Sequence, residues 1–253
     1  MEPISKAEFI ATTKQKMALF LDFDGTLVDI AETPDNIFLR KKTVTLLENL
    51  TKTLNGAVAI VTGRPISEID KFLNPVLLPI AGKHGAEIRN AKKQISKITG
   101  VDLVRIVEQF ASFSKNHAGT FVENKGVCVA LHFRGSNLTD DKVRAWVEDN
   151  IHLGSSLKCY FGKKICEIQS TNFDKGYAIS QLLKHAPFKE RLPIFVGDDT
   201  PDEDGFNFVN KIGGLSIKVG KDSTSNAQFF TKNLNETYEW LFKLNVKFVR
   251  KTY

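Results

Sequence analysis

The chain has 253 residues, 42% hydrophobic and 25% charged, enough for one large domain or two small ones around a real core. No apolar run approaches the roughly 20 residues a membrane-spanning helix needs, and Met1-Glu2-Pro3-Ile4-Ser5-Lys6 lacks the basic-then-apolar order of a secretory signal, so a cytoplasmic protein with no membrane partner is expected. The 35 basic residues against 29 acidic ones give +6, but without the stripe of Arg, Lys and aromatics that marks a nucleic-acid binder; nucleic acid is set aside and an anionic small molecule is kept.

In chain order, the first predicted strand is the apolar run Met17 to Leu21, which stops abruptly at Asp22. Val44, Leu46, Leu47 and Leu50 then recur at helical spacing. Ala57 to Val61 stops at Thr62-Gly63-Arg64-Pro65, and Leu77 to Ala81 runs into Gly82-Lys83-His84-Gly85. Far downstream, a helical pattern at Tyr177, Ile179, Leu182 and Leu183 precedes the run Leu192 to Val196, which stops at Gly197-Asp198-Asp199. Short runs that are apolar throughout suit strands buried on both faces. Their alternation with helices predicts an α/β fold with a doubly wound, Rossmann-like parallel sheet. Ligands of such sheets bind beyond the carboxyl ends of the strands, where all four polar clusters lie.

The middle of the chain has a different rhythm. Leu103, Ile106, Val107 and Phe110 predict a helix over Asp102 to Ser114, followed by strands at Thr120 to Glu123 and Val127 to Phe133. Thr139 can cap a second helix containing Val143, Trp146 and Val147. Strands at Leu157 to Phe161 and Ile165 to Gln169 follow. Helix, strand, strand, repeated twice, predicts a small α/β domain at 102–169 inserted into a discontinuous core of 1–101 and 170–253. Cys128, Cys159 and Cys166 have no metal-like spacing and are expected to be reduced, half-buried strand residues. The basic end, Lys247, Arg250 and Lys251, is expected to be a solvated tail.

The chemistry concentrates at the strand ends. In Leu21-Asp22-Phe23-Asp24-Gly25-Thr26 the two carboxylates are two residues apart, so they point the same way while the strand lasts, and Gly25 allows a tight turn. Carboxylates that close repel unless a cation lies between them. Magnesium, with its preference for oxygen ligands and its affinity for phosphate, suits that place. A carboxylate so held can attack phosphorus. Residues 198–204 add five acids in seven positions. Thr62 offers a hydroxyl at a strand end near a helix start, and Lys175, before the helix that leads to the acidic strand, can hold the nucleophile and phosphate charges together.

The ordered set of D-x-D-G-T, a strand-end Thr, a Lys and then G-D-D resembles the haloacid dehalogenase (HAD) superfamily of phosphotransferases, over Leu19 to Asp204. The resemblance implies Asp22 as nucleophile and Asp24 as acid and base. Thr62 and Lys175 would hold the phosphoryl group. Magnesium would be held by Asp22, the Asp24 carbonyl and Asp198, with Asp199 or Asp202 acting directly or through water. A closer resemblance is to the trehalose-6-phosphate phosphatase family, through Thr62-Gly63-Arg64-Pro65, Gly82 to Glu87, Val122 to Gly126, Leu131 to Arg134, Gly162-Lys163 with Glu167, and Asp198 to Asp204. It implies an inserted cap that reads the sugar with Glu123, Arg134, Lys163 and Glu167, and substrate contacts from Thr62, Gly63, Arg64 and His84. Pro201 departs from the family, which has Thr there, but proline is tolerated in a first helical turn. The mechanism needs no histidine, so His84 and His132 are assigned structural or substrate hydrogen bonds. The expected substrate is trehalose 6-phosphate and the expected state a monomer. The rival substrates are sucrose phosphate and mannosyl phosphate compounds. The rival class is a silent regulatory partner of a trehalose synthase, which usually lacks the nucleophile or a metal ligand.

Overall fold

The computed structural model describes residues 1–4, 16–30, 37, 39–97, 103–154 and 156–249. The sequence readings at Ser5, Lys6, Asp102, Arg250 and Lys251, the Lys247 side chain and the expected boundary between 101 and 102 lie outside these residues. The chain divides into two compact units, Met1–Ser96 with Asp174–Tyr253, and Lys97–Phe173.

The first unit is built on one sheet. Its strands are β1 (Glu2–Pro3), β2 (Met17–Leu21), β3 (Val58–Val61), β4 (Ile80–Gly82), β5 (Glu87–Arg89), β6 (Ile95–Lys97), and, from the end of the chain, β11 (Leu192–Gly197), β12 (Leu215–Val219) and β13 (Phe229–Thr231). Their order is β1-β13-β12-β11-β2-β3-β4-β5-β6. Pairing is parallel from β1 through to β4, and β5 turns back antiparallel on β4. Every residue of β2 and β3 is buried, as strands covered on both faces must be, and each such Leu or Phe contributes roughly 1.5–3 kcal/mol. The expected strand over Leu77 to Ala81 begins only at Ile80, because Pro79 has no N–H for a ladder.

Helix α1 (Lys41–Thr53) carries the chain from β2 to β3, and α2 (Ile66–Leu73) from β3 to β4. Helix α5 (Lys175–Leu183) leads into β11, α6 (Asp202–Lys211) joins β11 to β12, and α7 (Leu234–Val249) ends the unit. The crossovers leave the central β2–β11 pair in opposite directions, so right-handed connections put α1 and α6 on opposite faces. Accordingly α1 packs on α7 and α5 on α6.

The second unit carries α3 (Val104–Lys115) and α4 (Asp140–Asn150) with strands β7 (Phe121–Asn124), β8 (Cys128–His132), β9 (Leu157–Gly162) and β10 (Ile165–Ser170). The sheet is antiparallel throughout, in the order β7-β8-β10-β9. Alternation along the strands sorts its side chains onto two faces. Val129, Leu131, Cys166 and Ile168 join Phe110, Phe113, Val143 and Val147 in one core. The opposite face carries Glu123, Ala130, Glu167 and Tyr160 in a single cross-strand row.

Candidate active site

Strand register decides which side chains meet. Leu21 pairs with Ile60 on one side and Val196 on the other, so Asp22 leaves the sheet between the ends of β3 and β11, with Thr62 and Asp198 each one residue further out. The Asp22 amide still donates to the Val196 carbonyl at 2.9 Å, and the Thr62 amide to Ala81 at 2.9 Å. Past Asp22 the chain turns through Gly25 at φ +80°, and a Cβ there would sit 2.1 Å from Asp198 Oδ2. Only glycine permits both the backbone angle and that approach. The first loop is therefore folded directly against the Asp198 carboxylate.

Lys175 is the first residue of α5, whose cap Asp174 accepts the Tyr177 amide at 2.7 Å. This start aims a buried lysine into the cluster. Its Nζ donates to Asp22 Oδ1 and Asp202 Oδ1, each at 2.6 Å. Asp202, fully buried at the start of α6, accepts the amides of Asp198 and Asp199 on its other oxygen at 2.8 and 2.9 Å. Pro201 sits just before it at φ −61°, the angle a helix start needs, so the departure from Thr leaves the loop intact. Asp199 instead turns its carboxylate to the Thr200 amide. Lys218 on β12, which the sequence did not single out, donates to the Asp198 carbonyl at 2.9 Å.

Asp22, Asp198 and Asp202 each offer a carboxylate oxygen, and the three oxygens lie within 4.8 Å of one another. Burial, first, pushes the Asp22 carboxyl well up; Lys175 pulls it down, while Asp202 and Asp198 push it up again. Burial would lower Lys175, but Asp202 and Asp22 outweigh it and hold the ammonium protonated. Lys175 pairs with two of the three carboxylates, Asp22 and Asp202, so a divalent cation with hard oxygen ligands fits the donor set and would offset the remaining repulsion.

Asp24 does not join this group. Arg64 grips it with two parallel bonds, Nε to Oδ2 at 2.7 Å and Nη2 to Oδ1 at 2.9 Å, and reaches Glu68 at 3.2 Å. The guanidinium also lies over the rings of Phe23 and Phe72 at 6.0 and 5.8 Å. The structure thus couples an expected substrate ligand to the expected acid and base. Thr62 Oγ1 accepts the Arg64 amide at 3.1 Å, which leaves the hydroxyl proton to donate. His84, left-handed at φ 55°, packs its ring so closely on Gly63 that a Cβ there would be 2.8 Å from Nε2. Its neighbours are also engaged: Glu87 accepts the first amide of α2, at Ile66, and pairs with Lys83.

In the second unit the four expected sugar ligands fall into two pairs. Glu123 and Glu167 flank Ala130 and are bridged by Lys125, whose Nζ is 3.1 Å from Glu167 and 3.8 Å from Glu123. His132, stacked on Phe121 with centroids 4.3 Å apart, holds Glu123 at 2.9 Å. Arg134 and Lys163 belong to the hairpin end, where Arg134 Nη2 donates to the Lys163 carbonyl at 3.2 Å. Arg134 lies in the turn beyond the end of β8, past His132, whereas Ala130 is within the strand.

A model of the trehalose-phosphatase family matches residues 20–236. A probable trehalose-phosphate phosphatase of Sinorhizobium fredii is 37% identical over 215 residues, covering 83% of this chain and 80% of that protein. The trehalose-6-phosphate phosphatase of Escherichia coli is 32% identical over 242 residues, covering 95% and 90%. The C-terminal domain of the C. albicans trehalose-6-phosphate phosphatase shares the fold at TM-score 0.85, over 97% of this chain and 98% of that one, with 19% identity.

Proposed function

The chain belongs to the trehalose-phosphatase family, phosphoric monoester hydrolases of HAD fold, and from that premise we propose that it hydrolyses trehalose 6-phosphate, with magnesium and an Asp22 phosphoenzyme. The observation that carries this reading is the convergence of Asp22, Asp198 and Asp202 around a buried Lys175 at the carboxyl edge of the sheet.

Asp22, in line with the substrate phosphorus, attacks through the oxygen not taken by Lys175 and becomes an aspartyl phosphate, releasing trehalose. Asp24 gives the leaving sugar oxygen its proton, then takes one from the water that hydrolyses the intermediate. Both Asp24 oxygens accept from Arg64 in this structure, so for the first step one oxygen leaves the fork and carries the proton that is given up. The remaining bond keeps the carboxyl aimed, and the proton taken from the water restores the acid. Thr62 and Lys175 hold the phosphoryl oxygens. Magnesium, held by Asp22, Asp198 and the Asp24 carbonyl, would supply charge neutralisation for phosphate and nucleophile. Asp202 acts by fixing Lys175 and the 198–199 amides, so its role is positioning. In the second unit Glu123, Lys125 and Glu167 accept and donate hydrogen bonds to sugar hydroxyls, with Arg134 and Lys163 adding positive charge.

The test is phosphate release from trehalose 6-phosphate against glucose 6-phosphate, sucrose 6-phosphate, a mannosyl phosphate and p-nitrophenyl phosphate, with and without magnesium. Trehalose 6-phosphate should be preferred and the metal required. Preference for another sugar phosphate would replace the substrate, and no release from any would make the chain a silent partner.

A further inference from the structure

We propose that Cys159 and Cys166, on the paired strands β9 and β10, form a site of reversible two-electron oxidation, a dithiol that closes to a disulfide at the expense of a small disulfide, which is reduced to two thiols. Cys159 lies opposite Ile168 and Cys166 opposite Phe161, so the two thiols occupy diagonal positions on the same, helix-facing side of the sheet. Their Sγ atoms are 3.3 Å apart. A disulfide needs about 2.05 Å between sulfurs. Bond formation closes a gap of about 1.3 Å between the sulfurs. Because diagonal cross-strand positions stand about 7–8 Å apart, at the edge of what a disulfide spans, the edge strand β9 draws in slightly as it forms.

The two cysteines differ in the way a stepwise exchange requires. Cys159 is partly exposed, whereas Cys166 is buried. A hydrogen bond from Cys166, and then the charge of Arg144, hold the Cys159 thiol below its ordinary range against burial and Glu148. Arg144 is fixed there with its guanidinium 4.1 Å from the Phe161 ring centroid. Cys159 is therefore the attacking thiolate and Cys166 the resolving thiol. The Cys159 thiolate displaces one thiol from the small disulfide and forms a mixed disulfide. Cys166 gives up its proton and attacks the Cys159 sulfur, expelling the second thiol. The pair loses two electrons and two protons, and the small disulfide becomes two thiols. Cys128 takes no part: it lies on the opposite face of the sheet, where its S–H donates to Glu167 at 3.0 Å and burial pushes its thiol up.

The experiment uses the folded, full-length chain incubated with glutathione disulfide, read by intact mass, free-thiol titration and peptide mapping. Free thiols should fall from the three in the sequence to one, with two hydrogens lost and a Cys159–Cys166 peptide recovered, and dithiothreitol should reverse all three changes. Cys166→Ala should stop at a glutathione adduct on Cys159, and Cys159→Ala should form neither adduct nor bond. Three thiols remaining in the wild type, a stable adduct without an internal bond, or a bond that includes Cys128 would each overturn the proposal. Because the decisive measurement is on the wild type, a variant that misfolds leaves the test intact.

Discussion

Asp22 occupies a place where burial and two neighbouring carboxylates all disfavour its charge, and Lys175 is its one compensating cation at hydrogen-bond distance among the described residues. Neutralising Asp22 therefore removes an electrostatic cost together with the proposed nucleophile. Asp22→Asn should abolish turnover while leaving the melting temperature equal to or above the wild type's in metal-free buffer; a variant keeping a tenth of the activity would exclude the phosphoenzyme route. Lys175 should behave oppositely. Lys175→Met leaves Asp22 and Asp202 buried without their ammonium, and breaking a buried pair in this way costs about 3–5 kcal/mol. For a chain of this size that is on the order of 10 °C in melting temperature. Calorimetry showing an unchanged transition would mean that the lysine does not stabilise the cluster. Sequence pattern could point to each of these residues, because D-x-D-G-T and the acidic loop are local. It could not show that Asp24 is gripped by Arg64, forty positions away, or that Lys218 supports the Asp198 carbonyl, since neither pair has a local spacing to betray it.

Among the elements, those whose burial is complete were the legible ones. β2, β3 and β11 are apolar throughout because helices cover both faces, and an unbroken run of that length is visible without structure. β12 and β13 were not anticipated: Ser216 and Lys218 interrupt the first, and the second is only three residues long. The second unit was legible for another reason, the contrast between its buried and polar sheet faces, although the bridging role of Lys125 was not. The turn after β2 is where element and chemistry depend on each other most closely. Gly25→Ala would place a methyl group on the Asp198 carboxylate and force a left-handed angle on an L-residue, which costs roughly 1–2 kcal/mol. The loop must shift to accept it, so kcat/KM should fall by at least 100-fold, about 2.7 kcal/mol of lost positioning, while circular dichroism stays native. Wild-type activity in this variant would show that the loop has room the structure denies it.

At the scale of the whole molecule, the groups proposed for phosphoryl transfer all belong to Met1–Ser96 with Asp174–Tyr253, and those proposed for the sugar all belong to Lys97–Phe173. A metal that binds only the folded first unit should stabilise it by mass action. Magnesium at about 100 times its dissociation constant adds roughly 2.7 kcal/mol, so its addition should raise the melting temperature, and excess chelator should abolish turnover; full activity in chelator would remove the metal from the mechanism. The division of groups also permits a sharper test, because energy from contacts remote from the phosphorus serves only a substrate that makes them. Glu123 and Glu167 stand on either side of Ala130, held by Lys125 and, for Glu123, by His132. Truncating either to Ala removes one or two hydrogen bonds to a charged group, which lowers kcat/KM for trehalose 6-phosphate by roughly 10- to 1,000-fold. Hydrolysis of p-nitrophenyl phosphate, which has no sugar hydroxyls to lose, should stay within about twofold, a difference of roughly 0.4 kcal/mol. Glu167→Gln keeps the size of the side chain and separates lost charge from lost packing. A parallel fall on both substrates would mean that these carboxylates support the fold or the phosphoryl site, and trehalose 6-phosphate would lose its place as the substrate while phosphate-ester hydrolysis stood.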